Sequence, residues 1–274
     1  MAFKRGLMAV ALGALAAACA SAPEQAAPQA IAAPGVYAGR SVLDAAIEVA
    51  GGQAALSKAK ELEWTGTATV TAEGKTTKIN VMTVLRPATN WSRTTSWTDA
   101  DGPKKARTIQ TEQGKGWTVN GVTWTPMQEA QAAHENQQFS LYKMMLLTPL
   151  KETGVTVSEN PPGAEGARSI NAQLAGGVPA RLTFDATGKL AGVELSVRDA
   201  KGGPDIKETV KLSGELVSNG VKWPKQISIS QNGHPYFDLE LATFEATPDL
   251  KPRPLPHTLD DGQTPPQDRP ADAG

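Results

Sequence analysis

Asn-Gly occurs three times in this chain between strand-like runs, at Asn120-Gly121, Asn219-Gly220 and Asn232-Gly233. Both residues of this dipeptide tolerate positive φ, which two-residue hairpin turns demand, so each occurrence points to antiparallel neighbours. Thr187-Gly188, between alternating runs at 180–184 and 190–197, is a fourth candidate turn. From Leu62 the period is two: Trp64, Gly66, Ala68 and Val70 alternate with threonines and charges. Ile79, Val81, Thr83 and Leu85 do the same after the Glu73-Gly74 turn. This is a hairpin with one buried face, and the turns beyond it predict an antiparallel meander.

Two segments depart from that period. Ser41-Val42-Leu43-Asp44 has the form of a capping box with aspartate in the glutamate position. Leu43, Ala46, Ile47 and Ala50 then recur at helical spacing until Gly51-Gly52. A shorter helix is expected through 54–60. Residues 127–147, with Phe139, Tyr142, Lys143, Leu146 and Leu147, suit a helix that ends before Pro149. The fold class is α+β and mainly β: a single large twisted antiparallel sheet forming an open half-barrel, capped by an N-terminal helix and a central helical lid.

The ends of the chain have a different character. Lys4 and Arg5 precede an apolar run at 7–18 that is too short to span a bilayer, and Cys19, the single cysteine, follows directly. Leu15-Ala16-Ala17-Ala18-Cys19 resembles the lipobox of bacterial lipoproteins, with Ala16 where a large aliphatic residue is usual. The resemblance implies cleavage before Cys19 and acylation of its thiol, palmitate included; the alternative is an ordinary cleaved signal with an incidental cysteine. Residues 20–40 are rich in Ala, Pro, Ser and Gln and read as a flexible stalk. Residues 248–274 carry Pro252, Pro254, Pro256, Pro265, Pro266 and Pro270 and read as a disordered or loosely draped tail. The expected organisation is a signal peptide at 1–18, a lipidated Cys19 and stalk at 19–40, one domain at 41–247 and the tail at 248–274.

With 27 basic and 28 acidic residues spread along the chain, there is no basic stripe to attract a phosphate backbone, and nucleic acid is disfavoured as a partner. One cysteine permits no internal disulfide and no thiolate zinc cluster. His134, His234 and His257 lie in separate segments without metal-ligand spacing, and His134 is expected at the surface. No serine stands in a Gly-x-Ser-x-Gly turn and no phosphate loop follows a strand. Neither an enzyme activity nor a cofactor is expected; catalysis would need groups that only the fold brings together.

Helix, Gly-Gly and strand pair are followed by Val84-Leu85-Arg86-Pro87 with Trp91 close behind. Next comes Gly114-Lys115-Gly116-Trp117-Thr118-Val119-Asn120, and late in the chain Gly220-Val221-Lys222-Trp223-Pro224 with Leu239, Leu241 and Phe244. This order, over roughly 41–247, resembles the LolA/LolB-like lipoprotein-localisation factors of Gram-negative bacteria. The resemblance implies a half-barrel whose apolar cavity binds acyl chains or lipidated proteins. It also implies an arginine at position 86 bonded to the helical lid. Arg86, Trp91, Phe139, Tyr142 and Leu146 are on this reading the ligand-binding or lid-controlling residues. The plainer reading makes Arg86 a strand-end residue before Pro87. The tryptophans are cavity lining or core, with Trp64 and Trp117 expected in the core. Met144, Met145, Leu146 and Leu147 are a soft gate or ordinary helix packing.

The expected setting is the outer membrane, facing the periplasm, with Ala20 and Ser21 after the anchored cysteine. The partners are the membrane, through lipidated Cys19, and an acyl lipid or lipoprotein cargo. A second reading makes the domain a structural module whose interior is filled by its own side chains and whose tail contacts an envelope protein. A hydrolase is the third, and would need a carboxylate pair and a histidine converging in one cleft.

Overall fold

The computed structural model describes residues 35–120 and 123–251; Cys19, the signal segment, most of the stalk, Gly121 and nearly all of the Pro-rich tail lie outside the described residues. Helix α1 (Val42–Val49) begins as the capping pattern requires: the Ser41 hydroxyl accepts from the Asp44 backbone N–H and donates to the Asp44 carboxylate. A second helix-start donor, the Val42 N–H, is taken by the Glu159 carboxylate at 2.7 Å. Helix α2 (Gln53–Lys58) follows the Gly51-Gly52 break.

The chain then forms β1 (Glu61–Ala72), β2 (Lys75–Arg86), β3 (Trp91–Trp97), β4 (Arg107–Glu112), β5 (Lys115–Asn120) and β6 (Thr123–Pro126), each paired antiparallel with the one before. Helix α3 (Glu129–Met145) comes next. A second run follows, with β7 (Thr156–Glu159), β8 (Arg168–Gln173), β9 (Ala180–Phe184), β10 (Leu190–Val197) and β11 (Ile206–Ser213). After the short strands β12 (Leu216–Ser218) and β13 (Val221–Trp223), β14 (Gln226–Gln231) and the long β15 (His234–Thr247) complete the strands among the described residues. Thirteen strands make one antiparallel sheet in the order β6-β5-β4-β3-β2-β1-β15-β14-β11-β10-β9-β8-β7. Its edges, β6 and β7, do not meet, so the half-barrel stays open as expected from the sequence.

One expectation needs correcting. The sheet is two meanders joined through β1 and β15, and the Asn219-Gly220 turn belongs to neither. It closes the hairpin β12–β13, which stands apart as a two-stranded sheet. Pro224 directly after β13 gives a physical reason, since it lacks the N–H that a continuing ladder needs. The hairpin is anchored all the same: Asn219 donates to the Ala246 carbonyl at 2.6 Å, and the Lys222 N–H bonds the Ala50 carbonyl at the end of α1. The other turns behave as read, with Asn232 and Gly233, and Glu73 and Gly74, all at positive φ.

Directly paired residues share a face, which sorts the sheet's two sides. Leu62, Trp64, Ala68, Val81, Leu85, Leu239 and Leu241 point to the side that carries the helices and are buried there with Val42, Ile47, Leu56 and the apolar residues of α3. Each fully buried Leu or Ile contributes about 1.5–3 kcal/mol, so this single core accounts for the fold's main driving force.

Gly51 shows how tightly the satellite hairpin is seated. Its φ is +127°, and a Cβ there would stand 1.9 Å from the Gly220 carbonyl oxygen, a backbone atom that cannot swing away. Gly51→Ala is therefore expected to lower unfolding free energy by about 2–4 kcal/mol in urea titration. Gly74→Ala, at φ +73° in open space, should cost only about 1 kcal/mol.

Candidate functional site

β6 and β7 are opposite edges of the sheet, so the chain between them must travel from one edge to the other, and α3 makes most of that crossing over the helix-bearing face. Phe139, Leu141, Met144 and Met145 on α3, with Leu146 and Leu147 just beyond it, are buried beneath. Leu147 has φ +64°, a left-handed turn that breaks the helix two residues before Pro149.

Under the C-terminal half of α3 the floor is aromatic. Trp64 is wholly buried, with the Tyr142 ring edge-on at 5.2 Å and Trp223 tilted against it at 5.7 Å; Phe244 stacks on Trp223 at 5.5 Å. Burial first, then the Glu208 and Glu135 carboxylates, push the Tyr142 hydroxyl above its ordinary range, which keeps it neutral. Among the described residues, the buried indole N–H groups of Trp64 and Trp223 have no acceptor. An unpaired buried donor costs about 1–3 kcal/mol, so two side by side are a standing debt in an otherwise well-packed interior. Beside Trp223 is a cavity of about 40 Å³ lined by Ala46, Met145, Leu147, Leu190 and Leu212. Small-molecule pockets run to roughly 300–1,000 Å³, so an acyl chain has no room here unless α3 shifts.

Under the N-terminal half the floor is polar. Glu208 is fully buried on the inward side of β11, where it accepts from the Gln138 amide of α3 at 2.7 Å and from the Gln231 amide of β14 at 2.8 Å, one on each oxygen. His134 donates from Nδ1 to the Arg198 carbonyl at 2.7 Å, and Gln137 accepts from the Arg198 backbone N–H at 2.5 Å. His134 is 8 % exposed, a correction to the expected surface position. The unpaired carbonyl just past the end of β10 supplies the partner that lets an imidazole be buried. On α3, Glu135 lies near enough to both His134 and Glu208 for their charges to interact. Both Glu208 oxygens are already engaged, however, one by α3 and the other by β14. Among the described residues no group of three or more His, Cys, Asp or Glu side chains is placed to hold a metal ion, and no helix is long and apolar enough to cross a membrane.

The sequence-predicted residues are divided by the sheet. Phe139, Tyr142 and Leu146 lie under α3, whereas Arg86 and Trp91 pair with one another on the opposite face. Arg86 donates from Nε to Glu61 at 2.9 Å and from Nη2 to the Lys251 carbonyl at 2.6 Å, and its guanidinium lies 4.9 Å from the Trp91 ring centre. Trp64 is in the core as expected, and Trp117 is buried too, but on the outer face in a separate cluster with Val119 and Trp124. Sequence reading passed over Glu208 and Gln138. The signal for Glu208 was present: it keeps step with the inward Val210 and Leu212 in an alternating strand.

No family model matches the chain, and no curated protein matches its sequence. Solved structures do. A LolA superfamily protein from Nitrosomonas europaea aligns with a TM-score of 0.44 at 10 % identity, over 73 % of this chain and 94 % of that one. A domain named for outer membrane lipoprotein sorting, from Vibrio parahaemolyticus, gives 0.48 at 7 % identity, over 73 % and 92 %. A DUF1329 family protein from Desulfovibrio piger gives 0.50 at 8 % identity, over 77 % and 93 %. At such identities the likeness is one of fold.

The polar half makes stability depend on pH. Burial, reinforced by Glu208, raises the Glu135 carboxyl above its ordinary value of 4.5 although His134 and Arg107 pull it down. A raised acid favours the fold when protonated, so its contribution is full below about pH 4.5 and is lost as pH rises through the raised value. Glu135→Gln, which keeps the neutral shape, should gain stability relative to the unaltered chain between about pH 4 and pH 7. A urea-unfolding difference that stays flat across that range would remove Glu135 from the account.

Proposed function

We propose that this chain is a non-catalytic lipoprotein of the cell envelope that takes an acyl chain between α3 and the sheet. The observation that carries this reading is the pair of unpaired indole donors, Trp64 and Trp223, on the aromatic floor beside the 40 Å³ cavity. An acylated ligand has the two features that this floor lacks. It has methylenes, each worth about 0.8 kcal/mol when buried, and an ester or amide carbonyl able to accept from an indole N–H.

Entry requires α3 to lift. The bonds that hold its N-terminal half are Gln138 to Glu208, His134 to Arg198 and Gln137 to Arg198, all polar and therefore exchangeable with water. Met144 and Met145, at the helix end over the cavity, have the torsional freedom to reshape around a chain of varied length. Cys19, acylated, is the tether; the stalk at 20–40 gives reach, and the outer membrane facing the periplasm is the proposed place. The cargo is an acyl lipid or a lipidated protein. The filled interior favours a second reading, a structural module that binds no lipid.

Native mass spectrometry of residues 36–274 mixed with an N-palmitoylated tripeptide separates the two. One-to-one uptake is expected, faster in Gln138→Ala. Trp223→Phe keeps an aromatic face but removes the donor with half of the indole; it should weaken retention about two- to tenfold, the equivalent of one hydrogen bond. If neither the unaltered domain nor Gln138→Ala takes up the lipopeptide, the structural reading stands.

A further inference from the structure

Four of the six tryptophans, Trp91, Trp97, Trp117 and Trp124, lie on the sheet face turned away from the helices, as the register across β2–β6 dictates. Trp91, Trp117 and Trp124 are only 5–8 % exposed. Between them Arg93 lies 5.5 Å from the Trp91 ring centre and 5.9 Å from that of Trp124, and it donates to the buried Gln110 from both Nε and Nη2. The result is a band of flat aromatic and guanidinium surfaces running across successive strands, on the side of the sheet that α1, α2 and α3 do not occupy.

The C-terminal chain is led onto this band. After β15 it turns back, and the Lys251 ammonium meets Glu245 of β15 at 2.7 Å and Glu63 of β1 at 3.5 Å. The Lys251 carbonyl is then bound by Arg86 of β2 at 2.6 Å. Lys251 by itself thus touches three successive strands, and the next residue in line on β3 is Trp91, under the Arg86 guanidinium.

We infer that the outer face of β2–β6 is a docking groove for the chain's own C-terminal segment, beginning with Pro252-Arg253-Pro254-Leu255-Pro256. Alternate prolines set a polyproline II conformation, whose rings stack on indole faces and whose carbonyls, unused by any ladder, accept from guanidinium and amide donors. The length fits. Four strand spacings of about 4.8 Å separate β2 from β6, roughly 19 Å, which about six or seven residues cover at 3.1 Å each. Twenty-three residues follow Lys251, so the segment can cross the band with chain to spare. This cover is independent of what lies beneath α3.

The test uses the full chain with Cys19→Ser and a single nitroxide, a contact quencher of indole emission, attached through Leu255→Cys. Emission is expected to fall by about a third or more, since four of the six indoles line the band, and to do so equally at tenfold dilution. The same label on Lys201→Cys, in an exposed loop far along the chain, should leave emission unchanged. Quenching no greater than at Lys201 overturns the inference. Quenching that disappears on dilution overturns it too, and assigns the groove to the tail of a second copy.

Discussion

The pairing of β1 with β15 is the constraint on which the rest of the structure depends. It joins the first long strand to the last, in register from Glu61↔Thr247 to Val70↔Phe237 with one bulge at Thr65/Gly66. The two meanders then fan out on either side, and the segment between them is left to connect opposite edges of a thirteen-stranded sheet. A chain that must make that journey either runs around the rim or crosses a face. Crossing packs α3 over β4, β5 and β10, with Tyr142 edge-on to Trp64 of β1, so the helical cover over the open half-barrel follows from the strand pairing.

The two halves of that cover differ in kind. Toward its C-terminus α3 rests on an apolar and aromatic floor, where contact is non-directional and rearrangement costs little specificity. Toward its N-terminus it is held by directed bonds to Glu208 and to the backbone of Arg198. Buried polar bonds fix one position of a helix better than they stabilise it, because each exchanges for water when broken. Glu208 has both its oxygens engaged in this way, one by α3 and one by β14.

Arg86, to which the resemblance gave a bond with the helical lid, has different neighbours in the structure. It is buried, and Glu61, Trp91 and the Lys251 carbonyl meet it on the face away from α3. Along with Arg93 and Gln110 it turns the outer side of β2–β6 into a second buried surface, separate from the main core. A half-barrel sheet thus has structure on both faces, one covered by helices and the other meeting the start of the Pro-rich tail.

Much of this was legible residue by residue. The cap at Ser41, the positive-φ turns at Glu73-Gly74, Asn219-Gly220 and Asn232-Gly233, the break at Gly51-Gly52 and the central helix all follow from local chemistry, because each is decided by the φ/ψ range and bonding of a few adjacent residues. Alternation likewise determined which residues share a face, and hence that Glu208 sides with Val210. What period two does not carry is which face is inside, or which strand lies beside which. Only the tertiary structure decided that β1 meets β15, that four tryptophans face away from the helices, that His134 is buried against Arg198, and that the sheet separates Arg86 from the helix it was expected to hold. Those outcomes depend on contacts between residues far apart in sequence, whose free energy is shared across the whole sheet and is written in no single segment of it.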